Sequence, residues 1–459
     1  MSERVFNNDD ILVLNYPVAP VRSAEIEGKK KIIIKNSKMP YFEMIDNSKD
    51  NIRSCVFSYD RKNFLSELEE IQVVGEGDYY TSPEGDTLFH RSEEEGTVTL
   101  IFSLCKEKHM EIPDGVNRIG FKAFANSDIL SVKFPDSIKV IGYKSFNLCR
   151  ELKAAEFGAN LKKISRCAFL SCPKLESVRL SENKNGEEIL IENHVFAACK
   201  KLRNVELGRN RIKIEEYAFW GCESLESVDL SGATEIGRWA FLACKKLRNV
   251  KLHEGLKSIG ESAFTKCPNL EEIVLPSSVS SLGLSSLNSV SDLFLEGNCI
   301  PQGIYDAACD RSKSVSLKVH AGDNLLILPK VRRRNYSGDF DLEKEKIVVL
   351  YQAAELAEDR QDIALEGYAL KPDPKAKRFL RKYFLEMLGR AKTEEDFLSL
   401  FCKFRDLHLL TKNLSEKALP VAQEKEWTQA AAYVLQETIK QHKSRNQKQE
   451  NAGIPGFNL

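Results

Sequence analysis

The chain has 459 residues, room for two or three folding units, and its 67 Lys and Arg are matched by 67 Asp and Glu. A net charge of zero offers no field that favours nucleic acid or an anionic membrane surface. No apolar run approaches the ~18 residues a membrane-spanning helix needs.

Residues 1–54 read as a cap region. Their start, Met1 to Asp10, is polar and acidic and lacks the basic opening and apolar middle of a secretory signal. The expected location is therefore the cytoplasm, with secretion or surface display as the alternative. Lys31 to Lys35 is strand-like, and Pro17, Pro20 and Pro40 punctuate the region. Leu68, Ile71 and Val73 already carry the spacing of the repeat that follows, so a solenoid is expected over residues 55–328. Gly75 to Gly77 and Pro83 to Gly85 look like turns of a hairpin ahead of the strand Thr97 to Phe102.

From Ile119 to Leu275 one pattern recurs seven times. Its phenylalanines are Phe124, Phe146, Phe169, Phe196, Phe219, Phe241 and Phe264, separated by 22, 23, 27, 23, 22 and 23 residues. Three residues after each ring stands Cys149, Cys172, Cys199, Cys222, Cys244 or Cys267, with Ser127 in the first copy. A period in the low twenties with leucine at fixed offsets marks a leucine-rich repeat solenoid. In the copy at Leu202, Val205 and Leu207, the apolar residues point inward while Asn204 and Glu206 alternate outward as a strand requires. Asn210 falls at the bend, as do Asn160, Asn183 and Asn298 in their copies, where a side-chain amide can satisfy loosened backbone groups. The link from Ile214 to Cys222 is too short for a long helix and reads as a brief second strand followed by a turn of helix or 3₁₀ structure. The polar insertion from Lys184 to Glu188 accounts for the 27-residue spacing. No coil buries its apolar stripe alone, so stability comes from contacts between neighbours.

The run of Ile, Gly, small residue, Phe, Cys and Leu resembles the BspA-like subclass of leucine-rich repeats, common in bacteria of the mouth and gut and in some protists. Ile112 to Gly120 is similar to that subclass's lead-in, and Tyr79 to Leu88 is so more weakly. The resemblance covers residues 55–300 and implies protein or surface recognition rather than catalysis, with the parallel sheet on the concave face. Ser165, Glu192 and Glu215 depart from the usual glycine, and in an eighth copy Leu287 and Val290 replace Phe and Cys.

Six of the 12 cysteines share one repeat position, which packing of a small apolar side chain explains. Free, buried thiols are expected. Cys167 and Cys172 lack the His and Cys partners of a zinc site, so no metal is expected.

Residues 329–345 read as a linker that includes Arg332 to Arg334, a solvated basic run. Residues 346–444 then take a helical period and predict an all-α domain of five or six short helices in hairpins. Asp373 caps a helix that starts at Pro374 and places Phe379, Leu380, Tyr383, Phe384, Met387 and Leu388 on one face. Thr393 opens the next, with Phe397, Leu400, Phe401 and Phe404, and a last helix is expected from Lys425 to Gln441. These stripes read as a core. Residues 445–459 read as a flexible tail.

The fold class expected is thus α/β, a solenoid followed by a helical-hairpin domain. No catalytic motif is present: Gly75 and Gly77 lack the third glycine of a dinucleotide loop, and His194 near Cys199 sits at a variable surface position. No cofactor is expected. Outward positions along the coils are more informative. One column, Lys153, Glu176, Arg203, Glu226, Arg248 and Glu271, alternates in sign, which supports stacking. The next, Glu156, Arg179, Glu206, Asp229, Lys251 and Val274, breaks alternation once, at Glu206 and Asp229. Asn204, Glu206, Ser227 and Asp229, with Arg179 and Lys251, are therefore the candidate contact to a basic group on a protein partner, unless Arg203 or Lys251 reaches across to neutralise it. Aromatics are nearly absent from these columns, which argues against sugar stacking. The expected function is a non-enzymatic interaction scaffold; the alternatives are a surface adhesin and an effector acting through the helical domain.

Overall fold

The computed structural model describes residues 5–7, 11–14, 29–35, 68–183, 185–297, 300–307, 316–330, 346–354 and 356–451. Cys55, Asn298, Cys299 and Arg332 to Arg334 lie outside them. The chain divides into two compact units, Met1–Lys313 with His320–Gly322 and Ser314–Val319 with Asp323–Leu459.

In the first unit each repeat is one coil, numbered here 1 to 8 from the coil of Phe124 to that of Leu287. After its phenylalanine each coil lays down a short strand in a first sheet, for example Ala154–Phe157, Ser177–Leu180 and Asn204–Glu206. It then turns a corner into a second strand, such as Lys163–Ile164, Ile189–Ile191 or Ile212–Ile214. Both sets stack in parallel. The second sheet continues past coil 1 into Thr97–Ser103, which pairs antiparallel with Thr87–Ser92, itself paired with Tyr79–Thr81. The expected hairpin is therefore present, as is the strand Lys31–Lys35, which lies in a separate four-stranded sheet.

The seven phenylalanines form one file. Successive ring centroids lie 4.8, 4.8, 5.4, 5.3, 5.0 and 5.3 Å apart with near-parallel planes. All seven are 0% exposed, as are the six cysteines and Leu152, Leu175, Leu202, Leu225, Leu247 and Leu270. The ring spacing matches the ~4.8 Å between hydrogen-bonded strands, so one repeat in the sequence delivers one ring per rung.

The stretch around each phenylalanine is a chain of turns, where the sequence predicts helix or 3₁₀ structure. Two residues per coil adopt positive φ, such as Lys144 and Leu148, or His194 and Ala198. Between them, amides alternate between a partner three residues back and one in the next coil: Asn147 N to Lys144 O at 3.1 Å, then Leu148 N to Leu170 O at 2.9 Å. Half of these groups are thus committed to the neighbouring coil, which a helix would not allow.

The bends use the predicted amides. Asn160 Nδ2 donates to Asp136 O at 2.9 Å, and Asn210 Nδ2 to Leu207 O at 2.7 Å. Asn210 also accepts the Asn183 amide at 2.6 Å. Gly142 follows Ile141 because a Cβ there would run into the Ile119 carbonyl of the coil before. In coil 3 the position is Glu192, whose carboxylate accepts the Arg166 amide at 2.8 Å and meets Lys163 at 2.6 Å.

The second unit contains a parallel strand pair, Asn324–Pro329 with Ile347–Val349, and helices Ala357–Leu370, Pro374–Gly389, Glu394–Asp406, Lys412–Glu424 and Thr428–Asn451. Asp373 caps the second helix through the Ala376 amide at 2.7 Å, with Pro374 at its first position. Thr393 and Asp396 form a reciprocal capping box. Leu380, Phe384, Met387, Leu388, Phe397, Phe401 and Phe404 are buried in one core that also takes in Ile327. The last helix starts three residues later than predicted and runs ten further, to Asn451.

Candidate partner-binding face

The first sheet presents its outward side chains to solvent. Arg179, Asn204, Glu206, Ser227, Asp229 and Lys251 are all exposed and occupy successive strands of coils 3 to 6. Arg179 stands directly opposite Glu206 in the ladder, and their side chains meet at 3.2 Å. Asp229 stands opposite Lys251 and meets it at 3.1 Å. Each of the two adjacent carboxylates therefore takes its cation from the far side, Glu206 from coil 3 and Asp229 from coil 6. In the neighbouring column Arg203 reaches Glu176 at 3.0 Å.

Asp229 has a second role. Burial alone would raise its pKa, but the Ser231 hydroxyl and amide and the Lys251 ammonium outweigh that and hold its carboxyl below the usual range. The Ser231 amide donates to Asp229 Oδ1 at 2.9 Å, an Asx-type link into the corner that follows.

Between Glu206 and Asp229 the first sheet is interrupted. One five-stranded ladder ends at Asn204–Glu206 and a two-stranded ladder begins at Ser227–Leu230, while the second sheet runs on past the same point. The corner explains it. Glu206 and Ile214 are 8 residues apart, whereas Asp229 and Ile236 are 7. The missing residue is taken up by a register shift between Ile212 and Lys213 in the second sheet and by the break in the first. Gly232 fits this tight corner because a Cβ there would overlap the Asn210 carbonyl oxygen. The like charges that the sequence sets side by side thus fall at a seam, where no backbone ladder locks the two strands together.

Aromatics, scarce on the first sheet, gather on the turn side. His194, Tyr217 and Trp239 stack at 4.7 Å intervals from coil to coil, with Arg238 over Trp239 at 3.5 Å. All three rings sit on residues with positive φ. His194 is thereby turned to Tyr217, and Cys199 Sγ lies against the Phe169 carbonyl, so the two do not form a thiol–imidazole pair. Burial, then Arg166, pushes the His194 pKa down. The positive φ was not readable from residue type, since Lys, Cys and Ser fill the same slot in other coils. Among the described residues no group of three or more His, Cys, Asp or Glu could hold a metal ion, and no helix is long and apolar enough to cross a membrane.

Short parallel strands stacked one per coil around a file of phenylalanines define a leucine-rich repeat solenoid. Residues 99–190 and 185–293 match the BspA type leucine rich repeat region in 6 copies. Proteins built this way are generally interaction or surface-adhesin proteins. Among solved structures the chain is similar to a T. pallidum leucine rich repeat protein, with 24% identity over 46% of this chain and 89% of that one, at a TM-score of 0.35. A leucine-rich repeat protein from Bacteroides ovatus is 22% identical over 53% and 72% of the two chains, at 0.34. The pneumococcal vaccine antigen PcpA is 18% identical over 48% and 82%, at 0.22. No curated protein matches the sequence.

Proposed function

We propose that the chain is a non-enzymatic scaffold that docks a protein partner on the first sheet of its solenoid, with Asn204, Glu206, Ser227 and Asp229 at the contact and Arg179 and Lys251 flanking them. The observation that carries this reading is the seam. Two exposed carboxylates face solvent across strands without a shared ladder, and each is matched by one exposed cation that a partner's basic group can replace. An exposed pair contributes little to stability, ~0–1 kcal/mol, so exchanging its cation costs little. The repeat family supports the reading, since such solenoids recognise proteins or surfaces.

The test is affinity capture with the full chain as bait. The Glu206→Ser, Asp229→Ser double variant retains its fold and loses at least five-fold of the partner retained by the wild type. Unchanged capture with an unchanged melting temperature removes the proposal.

A further inference from the structure

The outward charges of the first sheet change character toward its C-terminal end. Coils 2 to 4 each carry one cation and one anion: Lys153 with Glu156, Arg179 with Glu176, Arg203 with Glu206. Coils 5 and 6 offset one another, Glu226 and Asp229 against Arg248 and Lys251. Coils 7 and 8 have no such balance. Residues 271–275 and 292–296 hold Glu271, Glu272, Asp292 and Glu296 and no lysine or arginine.

These two coils also form a ladder separate from coil 6, in which Val274 stands directly opposite Phe294. Val274 is 45% exposed, on a sheet face whose other coils present charges at that column. Phe294 is half-buried, its ring stacked at 4.4 Å on the imidazole of His320. His320 Nε2 in turn lies 3.0 Å from Asp292 Oδ1, so the imidazole on which the Phe294 ring stacks is itself anchored. Glu272 and Glu296 are exposed and make no ion pair among the described residues.

An apolar pair, Val274 exposed and Phe294 half-buried against His320, bordered by carboxylates, selects its occupant by chemistry. The apolar centre is the kind of anchor that supplies most interface energy, while border charges choose the partner and repel the wrong sign. We propose that coils 7 and 8 dock a cationic segment of a protein partner, with one apolar side chain on Val274 and Phe294 and lysines or arginines against Glu272 and Glu296. This rests on the reading of the first sheet as a docking face. It places the anchor two coils beyond Glu206 and Asp229, whose charges are already matched.

The test titrates the full chain into three dye-labelled seven-residue peptides at 0.15 M salt (about 8 Å of Debye length). They alternate lysine with leucine, lysine with serine, and glutamate with leucine. The lysine–leucine peptide binds at least ten-fold more tightly than either control. Val274→Ser weakens it at least five-fold, and Glu272→Lys with Glu296→Lys does so by more; all three sites are on the surface, and circular dichroism checks the fold. Equal affinity for the two lysine peptides, no binding of any peptide, or indifference to the coil 7 and 8 variants overturns the inference. If partner capture still depends on Glu206 and Asp229 in that case, the docking face stands and only its anchor was misplaced.

Discussion

The Sγ of Cys222 lies 3.3 Å from the carbonyl oxygen of Phe196 in the preceding coil, and the amide of Cys199 reaches that same oxygen at 3.3 Å. One carbonyl thus takes two donors, one closing its own turn and one from the next coil. The contact recurs for Cys149, Cys172, Cys199, Cys244 and Cys267, each on the phenylalanine carbonyl one coil back, at 3.0 to 3.3 Å. The cysteine file therefore does more than fill space. A thiol is small enough to sit beside the rings and still offers a weak donor to a carbonyl with a lone pair to spare.

Removing one thiol should be felt as a lost contact between coils. Cys222→Ala leaves a small void and takes away the donor, and we expect it to cost about 1–2 kcal/mol, the combined scale of a small core truncation and one hydrogen bond. Urea unfolding of the full chain reads the cost as a lower midpoint. A midpoint equal to that of the wild type would mean that the thiol-to-carbonyl contacts contribute nothing to stacking.

Burial pushes the thiols of Cys172, Cys222 and Cys244 well above their ordinary pKa of 9.0. The sign of the consequence follows from proton counting. Above about pH 9 the unfolded chain releases these protons while the folded chain keeps them, so the unfolded state binds fewer and stability falls as pH rises. The contribution is fully present below the unfolded value and is lost on the alkaline side, by about 1.4 kcal/mol per pH unit for each thiol that ionises only on unfolding. Unfolding midpoints measured from pH 7 to 10 should decline above about pH 9, and Cys244→Ala should decline less steeply by one thiol's share. Parallel declines for variant and wild type would count against the buried-thiol account.

The sequence carried much of this and left out the rest for identifiable reasons. The file of rings was legible because Phe124 to Phe264 repeat at nearly constant spacing, and the free thiols because Cys149 to Cys267 repeat with them. Asp373 and Thr393 were legible as caps because capping depends on residue type and local spacing alone. The seam was not, although its cause, a corner one residue shorter before Ile236, is visible in hindsight. Whether a short corner shifts one sheet, breaks the other or does both depends on how two ladders share the strain. The pairing at the candidate site was half legible: Lys251 could be foreseen across from Asp229, but Glu206 drew on Arg179 rather than Arg203, because ladder register sets Arg179 directly opposite. The turn-side stack of His194, Tyr217 and Trp239 was missed because positive φ at those slots has no residue signature.

That register makes a last point decidable. Arg179 and Glu206 meet at 3.2 Å with side chains 68% and 65% exposed, so solvent and salt screen the pair. A double-mutant cycle with Arg179→Ser and Glu206→Ser should return a coupling below about 1 kcal/mol, shrinking further at 1 M salt, where the screening length is about 3 Å. The same two substitutions should have a larger effect on partner capture than on the unfolding midpoint, because a pair that contributes little to the fold can be exchanged for a partner's charges at little cost. A coupling of about 2 kcal/mol or more that survives high salt would identify the pair as a structural clamp across the ladder. In that event Glu206 is not available for exchange, and the docking surface would have to be sought on coils 7 and 8 alone.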